Sequence, residues 1–188
     1  MSTTKSHIVV FSGPSGCGKS TIINSLQQRT GGITCISATT RKMRPGETDG
    51  KDYHFLSTER FESQSQAGKF LEEMSFNGNR YGTRYQDVES ASSLGEDVYM
   101  DLSCDGASAV RKYFSRVVTV FVLPPSYSEV KERLRERGMT EQEIEARFED
   151  DDSPISRAIE YDFLVVNYTG RQQETVELLQ QLLLQRRP

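Results

Sequence analysis

Eight residues near the start of the chain, Gly13-Pro14-Ser15-Gly16-Cys17-Gly18-Lys19-Ser20, fit the pattern G-x-x-x-x-G-K-[ST]. That spacing does one kind of chemistry, which is to hold phosphate. Glycines let successive backbone N–H groups turn inward and approach phosphate oxygens closely. A helix beginning near Gly18 would add its positive dipole end. Lys19 would reach the β- and γ-phosphates of a nucleotide, and the Ser20 hydroxyl could ligate Mg²⁺. An ordinary glycine-rich turn between strand and helix would account for the glycines, but gives no purpose to the Lys-Ser ending. Cys17 lies inside the loop, where a thiol can have a depressed pKa. A small residue that merely fits explains it as well, and no catalytic role is assigned to it.

A second group of residues has the form Thr39-Thr40-Arg41-x-x-Arg44-x-x-Glu47-x-x-Gly50-x-x-Tyr53-x-Phe55. Two arginines three apart can fork onto an anion, and a tyrosine hydroxyl can add a donor. A solvated polar loop would look much the same, and spacing alone leaves the two readings level. Asp101 closes the apolar run VYMD, a position from which an acid can orient hydrated Mg²⁺.

These groups need a frame to hold them. Residues 7–12 (HIVVFS) read as a buried parallel strand, and residues 19–28 as a helix with Ile22, Ile23 and Leu26 on one face. Residues 33–36, 98–102, 117–123 and 163–167 are further strand candidates. Asn77-Gly78 marks a tight turn between residues 70–76 and 80–81. Residues 58–67 suit a helix capped by Thr58. Residues 128–137 suit another, with Gly138 at its end. Thr140-x-x-Glu143 is a capping box that opens a helix through Arg147. Residues 175–187 form an amphipathic helix with Val176, Leu179 and Leu183 inward and Arg186 and Arg187 at its negative end. Strands alternating with helices imply an α/β fold with a parallel sheet covered on both faces, and the polar stretch in the middle reads as an insertion on that sheet.

Composition narrows the possibilities. The 188 residues suffice for one domain with a sizeable core, and 35% hydrophobic against 27% charged residues describes a globular, soluble chain. No apolar run nears the ~20 residues of a membrane helix, and residues 1–7 lack a signal-peptide core. A net charge of −4 gives no global field for nucleic acid. Cys17, Cys35 and Cys104, an odd number without a CxxC pair, suggest free thiols in a reducing compartment, the cytoplasm.

The run from Thr39 to Phe55, with the phosphate loop before it, resembles the guanylate kinase signature, and the likeness extends over residues 7–184. The resemblance implies a P-loop NTPase fold, a parallel central sheet flanked by helices, with an inserted GMP-binding subdomain and a helical lid. It implies a core from residues 1–36, 92–127 and 155–188, a GMP-binding unit at 37–91 and a lid at 128–154. It implies transfer of a phosphoryl group from ATP to GMP or dGMP with Mg²⁺, by a monomer or homodimer that needs neither nucleic acid nor membrane. By the same resemblance, Gly13 to Ser20, Thr21, Arg137 and Asn167 bind ATP. Ser37, Arg41, Arg44, Tyr53 and Tyr81 hold the acceptor phosphate, with Glu47 and Asp101 beside it. Glu72 and Thr83 read guanine. Lys19, Arg44, Arg137 and Arg147 are catalytic, and Ser20 and, through water, Asp101 attend the metal.

Guanine offers two adjacent donors and a carboxylate offers two acceptors, so adenine at Glu72 would leave a charge unpaired. Arg133 is either a further lid arginine or the partner of Glu129 on a solvated helix face. The chain departs from the family pattern at Ser103, where a second Asp is usual, at Cys104-Asp105, at the acidic run 149–152 with Pro154, and at Tyr168. Asp105 is expected to compensate in part, and the acidic run to face solvent. The rival readings are a guanylate-kinase-like module that binds phosphopeptides, another P-loop kinase with a different acceptor, and a nucleic-acid-binding ATPase.

Overall fold

Val9 and Phe11 enter one hydrophobic cluster and Ile8 and Val10 another, so the first strand is buried on both faces. Period-two alternation into two cores demands cover above and below. This strand, β1 (Ile8–Ser12), is the centre of a five-stranded sheet. The computed structural model describes residues 7–76, 78–136, 138–149 and 155–186. Around β1 lie β2 (Ile33–Thr34), β7 (Val98–Asp101), β8 (Val117–Leu123) and β9 (Phe163–Val166), in the order β2-β7-β1-β8-β9. Every pairing in this sheet is parallel.

One face is covered by α1 (Lys19–Thr30) and α7 (Gln172–Gln185) through Ile22, Leu26, Leu179 and Leu183. Removing each such side chain from water stabilises the fold by roughly 1.5–3 kcal/mol. The other face is covered by α3 (Tyr85–Ser93) and α4 (Cys104–Tyr113) through Val88, Ala91, Ala107 and Val110.

A second, four-stranded sheet carries the polar middle of the chain. It consists of β3 (Ala38–Thr39), β4 (His54–Phe55), β5 (Phe70–Phe76) and β6 (Asn79–Arg84), in the order β4-β3-β6-β5. Its back packs on α2 (Thr58–Gln66), whose Phe61 is fully buried, stacks on Phe70 and lies under the Arg80 guanidinium. A third unit pairs α5 (Tyr127–Glu136) with α6 (Glu141–Glu149) around Val130, Leu134 and Ile144. A short 3₁₀ helix, Ile155–Glu160, leads into β9.

Several local expectations change. The cap of α2 is Ser57, whose hydroxyl accepts from the Arg60 N–H at 3.2 Å, and not Thr58. The strand expected at 33–36 is two residues long, and α7 begins at Gln172. Helices α3 and α4 were not expected. The capping box holds, with the Glu143 carboxylate accepting from the Thr140 N–H at 2.8 Å and the Thr140 hydroxyl from the Glu143 N–H at 3.3 Å. Asn77, Arg137, Asp150 to Pro154 and Arg187 lie outside the described residues. No helix of the described residues is long and apolar enough to cross a membrane.

Candidate active site

The loop between β1 and α1 is shaped by what it touches. Gly13 has φ 140°, and a Cβ there would sit 2.1 Å from the Val122 carbonyl oxygen. A side chain at Gly16 would meet Val130 of α5 at 2.8 Å, so the α5–α6 unit rests directly on the loop. Lys19 folds back over the loop, its Nζ donating to the carbonyls of Gly13 at 2.7 Å and Pro14 at 3.2 Å. It also lies 3.8 Å from Asp101 at the end of β7. Gly18 brings no capping side chain to α1, and the first turn holds no acid. A helix start of that kind suits an anion. The loop opens at the carboxyl ends of β1, β7 and β8, where parallel α/β sheets bind ligands.

The Ser20 hydroxyl is 3.5 Å from Asp101, and Thr21 beside it is exposed. Both neighbouring donors are oxygens, the kind a hard cation takes. No group of three or more His, Cys, Asp or Glu gathers among the described residues, so a cation here would draw its other ligands from water and phosphate. Mg²⁺ binds in that way, and Ser20 and Asp101 fit it.

Across from the loop, the second sheet presents a row of side chains on one face. Thr39 pairs with Tyr81 and Glu72 with Thr83, and Tyr81 and Thr83 are two apart on β6. Residues directly opposite in register share a face. The Thr83 hydroxyl donates to Glu72 at 2.9 Å, and the Ser37 hydroxyl lies 3.1 Å from Thr83. Because Thr83 gives its single proton to Glu72, Ser37 donates to Thr83. Ser37, assigned by the resemblance to the acceptor phosphate, thus also touches the pair expected at the base.

Burial raises the Glu72 carboxyl above the usual carboxylate range, opposed by hydrogen bonds from the Thr83 hydroxyl and N–H. Helix α4 closes this corner. A Cβ on Gly106, in its first turn, would lie 3.2 Å from Glu72 Cγ, 3.4 Å from Cδ and 3.1 Å from Leu102. Sequence reasoning missed Gly106, since its reason is an approach across 34 residues. Gly106→Ala should leave the melting temperature level or slightly raised, because alanine favours the helix by ~1 kcal/mol. It should raise the KM for GMP about fivefold by displacing Glu72, as sub-ångström misplacement does. A thermal melt beside initial-rate kinetics checks both.

At the other end, Arg41 is engaged. Its two terminal nitrogens donate to the two Glu47 oxygens at 3.0 and 2.7 Å, and its guanidinium lies 5.4 Å from the Tyr53 ring centre. Glu47 also accepts from the Arg44 N–H at 2.7 Å. The Arg41 fork, then that N–H, lower the Glu47 pKa. Glu47 thus sets the 41–47 turn and leaves the Arg44 side chain exposed. Tyr53 and Tyr81 meet edge to face, 6.1 Å apart. The Tyr53 hydroxyl is raised in pKa, first by burial and next by the charge of Asp101, which places the two halves of the site within electrostatic reach.

The remaining candidates divide. Asn167 is buried beneath the loop, its Nδ2 donating to the Cys17 carbonyl at 2.8 Å. Arg133, in the last turn of α5, reaches Asn167 and Thr169 rather than open solvent. Arg147 falls in α6, and Arg137 is outside the described residues. Asp105 is turned to Arg157 at 2.6 Å and does not join Glu72, while Ser103 caps α4 by accepting from the Gly106 N–H at 3.1 Å.

A parallel sheet with a glycine loop, a lysine folded over it and a helix start behind it is a P-loop NTPase fold. The family model for guanylate kinase matches residues 5–186. The chain is similar to the guanylate kinase of Pseudoalteromonas translucida, 42% identical over 169 residues that cover 89% of this chain and 82% of that protein. It is similar to the guanylate kinase of Thermotoga maritima, 40% identical over 87% of this chain and 80% of that one. The crystal structure of guanylate kinase from Anaplasma phagocytophilum superposes with a TM-score of 0.74 at 28% identity, covering 98% of this chain and 87% of that one. The chain belongs to the guanylate kinase family and is a nucleoside monophosphate kinase, a transferase.

Proposed function

We infer that the protein transfers the γ-phosphoryl group of ATP to GMP, and to dGMP, releasing ADP and GDP or dGDP. The observation that carries this reading is the chain Ser37–Thr83–Glu72 facing the phosphate loop. Guanine N1–H and its 2-amino group would take the two Glu72 oxygens, which frees the Thr83 proton for O6. Adenine has no pair of donors on that edge. Arg44, Arg41, Tyr53 and Tyr81 would hold the GMP phosphate, with Glu47 fixing the turn. One of that phosphate's oxygens attacks the γ-phosphorus as the bond to the ADP oxygen breaks. The protein has little covalent work in this reaction, and contributes alignment and charge. Lys19 follows the β- and γ-oxygens, while Arg137 and Arg147 would close from a lid at residues 128–154 over an acceptor unit at 37–91. Mg²⁺, held through Ser20 and, by way of water, Asp101, would neutralise charge on the phosphates. The reading includes small-molecule substrates only, and work in the cytoplasm as a monomer or homodimer.

The test is ADP formation from Mg-ATP with GMP, AMP, CMP and UMP offered in turn. Turnover with GMP alone is expected. Equal turnover with AMP sinks the guanine reading, and GMP binding without any transfer points to a phosphopeptide-binding module.

The raised Glu72 carboxyl has a consequence in pH. Only the ionised form accepts both guanine donors, so kcat/KM for GMP should fall with decreasing pH from a point above the ordinary carboxylate range. The KM for Mg-ATP should not follow. In Glu72→Gln this limb disappears, while that of the GMP phosphate remains, and pH–rate profiles of the two proteins separate them.

A further inference from the structure

The Cys17 carbonyl, inside the phosphate loop, is held by two side chains from distant parts of the chain. Asn167 Nδ2 donates to it at 2.8 Å and Arg133 Nη1 at 3.4 Å. Arg133 is in turn fixed. Its Nη2 donates to the Asn167 carbonyl at 2.8 Å and to the Thr169 hydroxyl at 2.8 Å, and Thr169 donates to Glu129 at 2.6 Å. The Arg133 side chain is 13% exposed and Asn167 is 1% exposed. Asn167 Oδ1 is buried without a hydrogen-bond partner among the described residues and Nδ2 is turned to the loop, so this amide presents no open edge to a base in this conformation.

A trans peptide points its C=O and the following N–H to opposite sides, and there is no cis peptide among the described residues. Pinning the Cys17 carbonyl toward Asn167 and α5 therefore aims the Gly18 N–H away from them. Gly18 stands at φ 97°, and any Cβ there would lie 2.3 Å from Asn167 Nδ2. The amide thus occupies the space a side chain would need. We propose that Asn167 and Arg133 are positioning residues that set the phosphate cradle through the Cys17 carbonyl, and that neither one reads the donor base. The node joins the loop, helix α5 and the segment after β9, so the donor's phosphates and the lid share one support.

This inference rests on the reading of residues 13–20 as a triphosphate cradle, and its test uses a probe without a base. Inorganic tripolyphosphate, ATP and GMP are titrated into the full chain as wild type, Asn167→Ala, Arg133→Lys and Thr169→Val. Asn167→Ala and Arg133→Lys should weaken tripolyphosphate and ATP by the same factor, about tenfold, as expected for a lost buried or charge-assisted hydrogen bond. Thr169→Val should weaken both about threefold. GMP affinity should hold in all three, and in turnover the KM for ATP should rise more than kcat falls. Loss of ATP with tripolyphosphate unchanged makes Asn167 a base reader and overturns the inference, as do unchanged affinities for both. A fall in kcat alone for Arg133→Lys makes Arg133 a lid group and also overturns it. If Asn167→Ala loses GMP affinity as well, the fold has been damaged, and the other two variants decide. A wild-type protein that binds neither ATP nor tripolyphosphate refutes the cradle reading instead.

Discussion

Lys19→Ala should lower kcat about a thousandfold, the scale on which removal of a preorganised charge from a developing oxyanion acts. GMP affinity should change little. The lysine is already drawn across the loop by the Gly13 and Pro14 carbonyls at 2.7 and 3.2 Å, so it needs no large movement to follow a phosphoryl group from donor to acceptor. It also lies 3.8 Å from Asp101, a carboxylate that phosphates would otherwise meet with its charge unanswered. Rapid-quench measurement of transfer, with GMP binding read separately, checks the prediction. Transfer within tenfold of wild type would remove Lys19 from the chemistry.

Glu72→Gln should lower kcat/KM for GMP about a thousandfold, the cost of trading two charge-assisted hydrogen bonds for one neutral bond and a donor facing a donor. The KM for Mg-ATP should stay as it is. Stability should move the other way. Burial raises the Glu72 pKa in the fold, which means that the folded state disfavours the ionised side chain. The sign follows from that shift. Protonation favours the fold as pH drops through the raised value, and the unfavourable contribution of the charge is present at neutral pH. A neutral glutamine escapes it, so the variant should melt at or above the wild-type temperature. Loss of both activity and stability would mean that Glu72 holds the sheet together rather than reading a base.

What the sequence discloses divides along sequence distance. The phosphate loop is legible because its parts are contiguous, and the chemistry of each residue follows from its neighbours. The pairing of Glu72 with Thr83 is nearly as legible, since a glycine at residue 78 places Phe76 opposite Asn79 and counting back sets the register. Helix α4 is less so. CDGASAVRKY carries Asp105, Gly106 and Ser108, all weak helix formers, in its first half, and the helix buries Ala107 and Val110 against the sheet. It did leave a signal in Ser103 as a cap, with Arg111 and Lys112 in its last turn. Helix α3 offers only Val88 and Ala91 to the core, too few for periodicity to register. The place of Ser37 depends on a strand pair 46 residues away, and the union of Arg133 with Cys17 on a contact 116 residues away. Neither distance leaves a trace in local pattern.

The alignment of β5 with β6 makes the Glu72–Thr83 pair sensitive to an edit that changes no existing side chain. Successive residues of a strand face opposite ways, so a single residue inserted or deleted between Glu72 and Thr83 would rotate one partner of that pair to the α2 side. The sheet could still close, with Phe61 and Arg80 at its back, yet carry its carboxylate on the wrong surface. The spacing between the two strands thus matters to the site as much as the identity of the residues they bear.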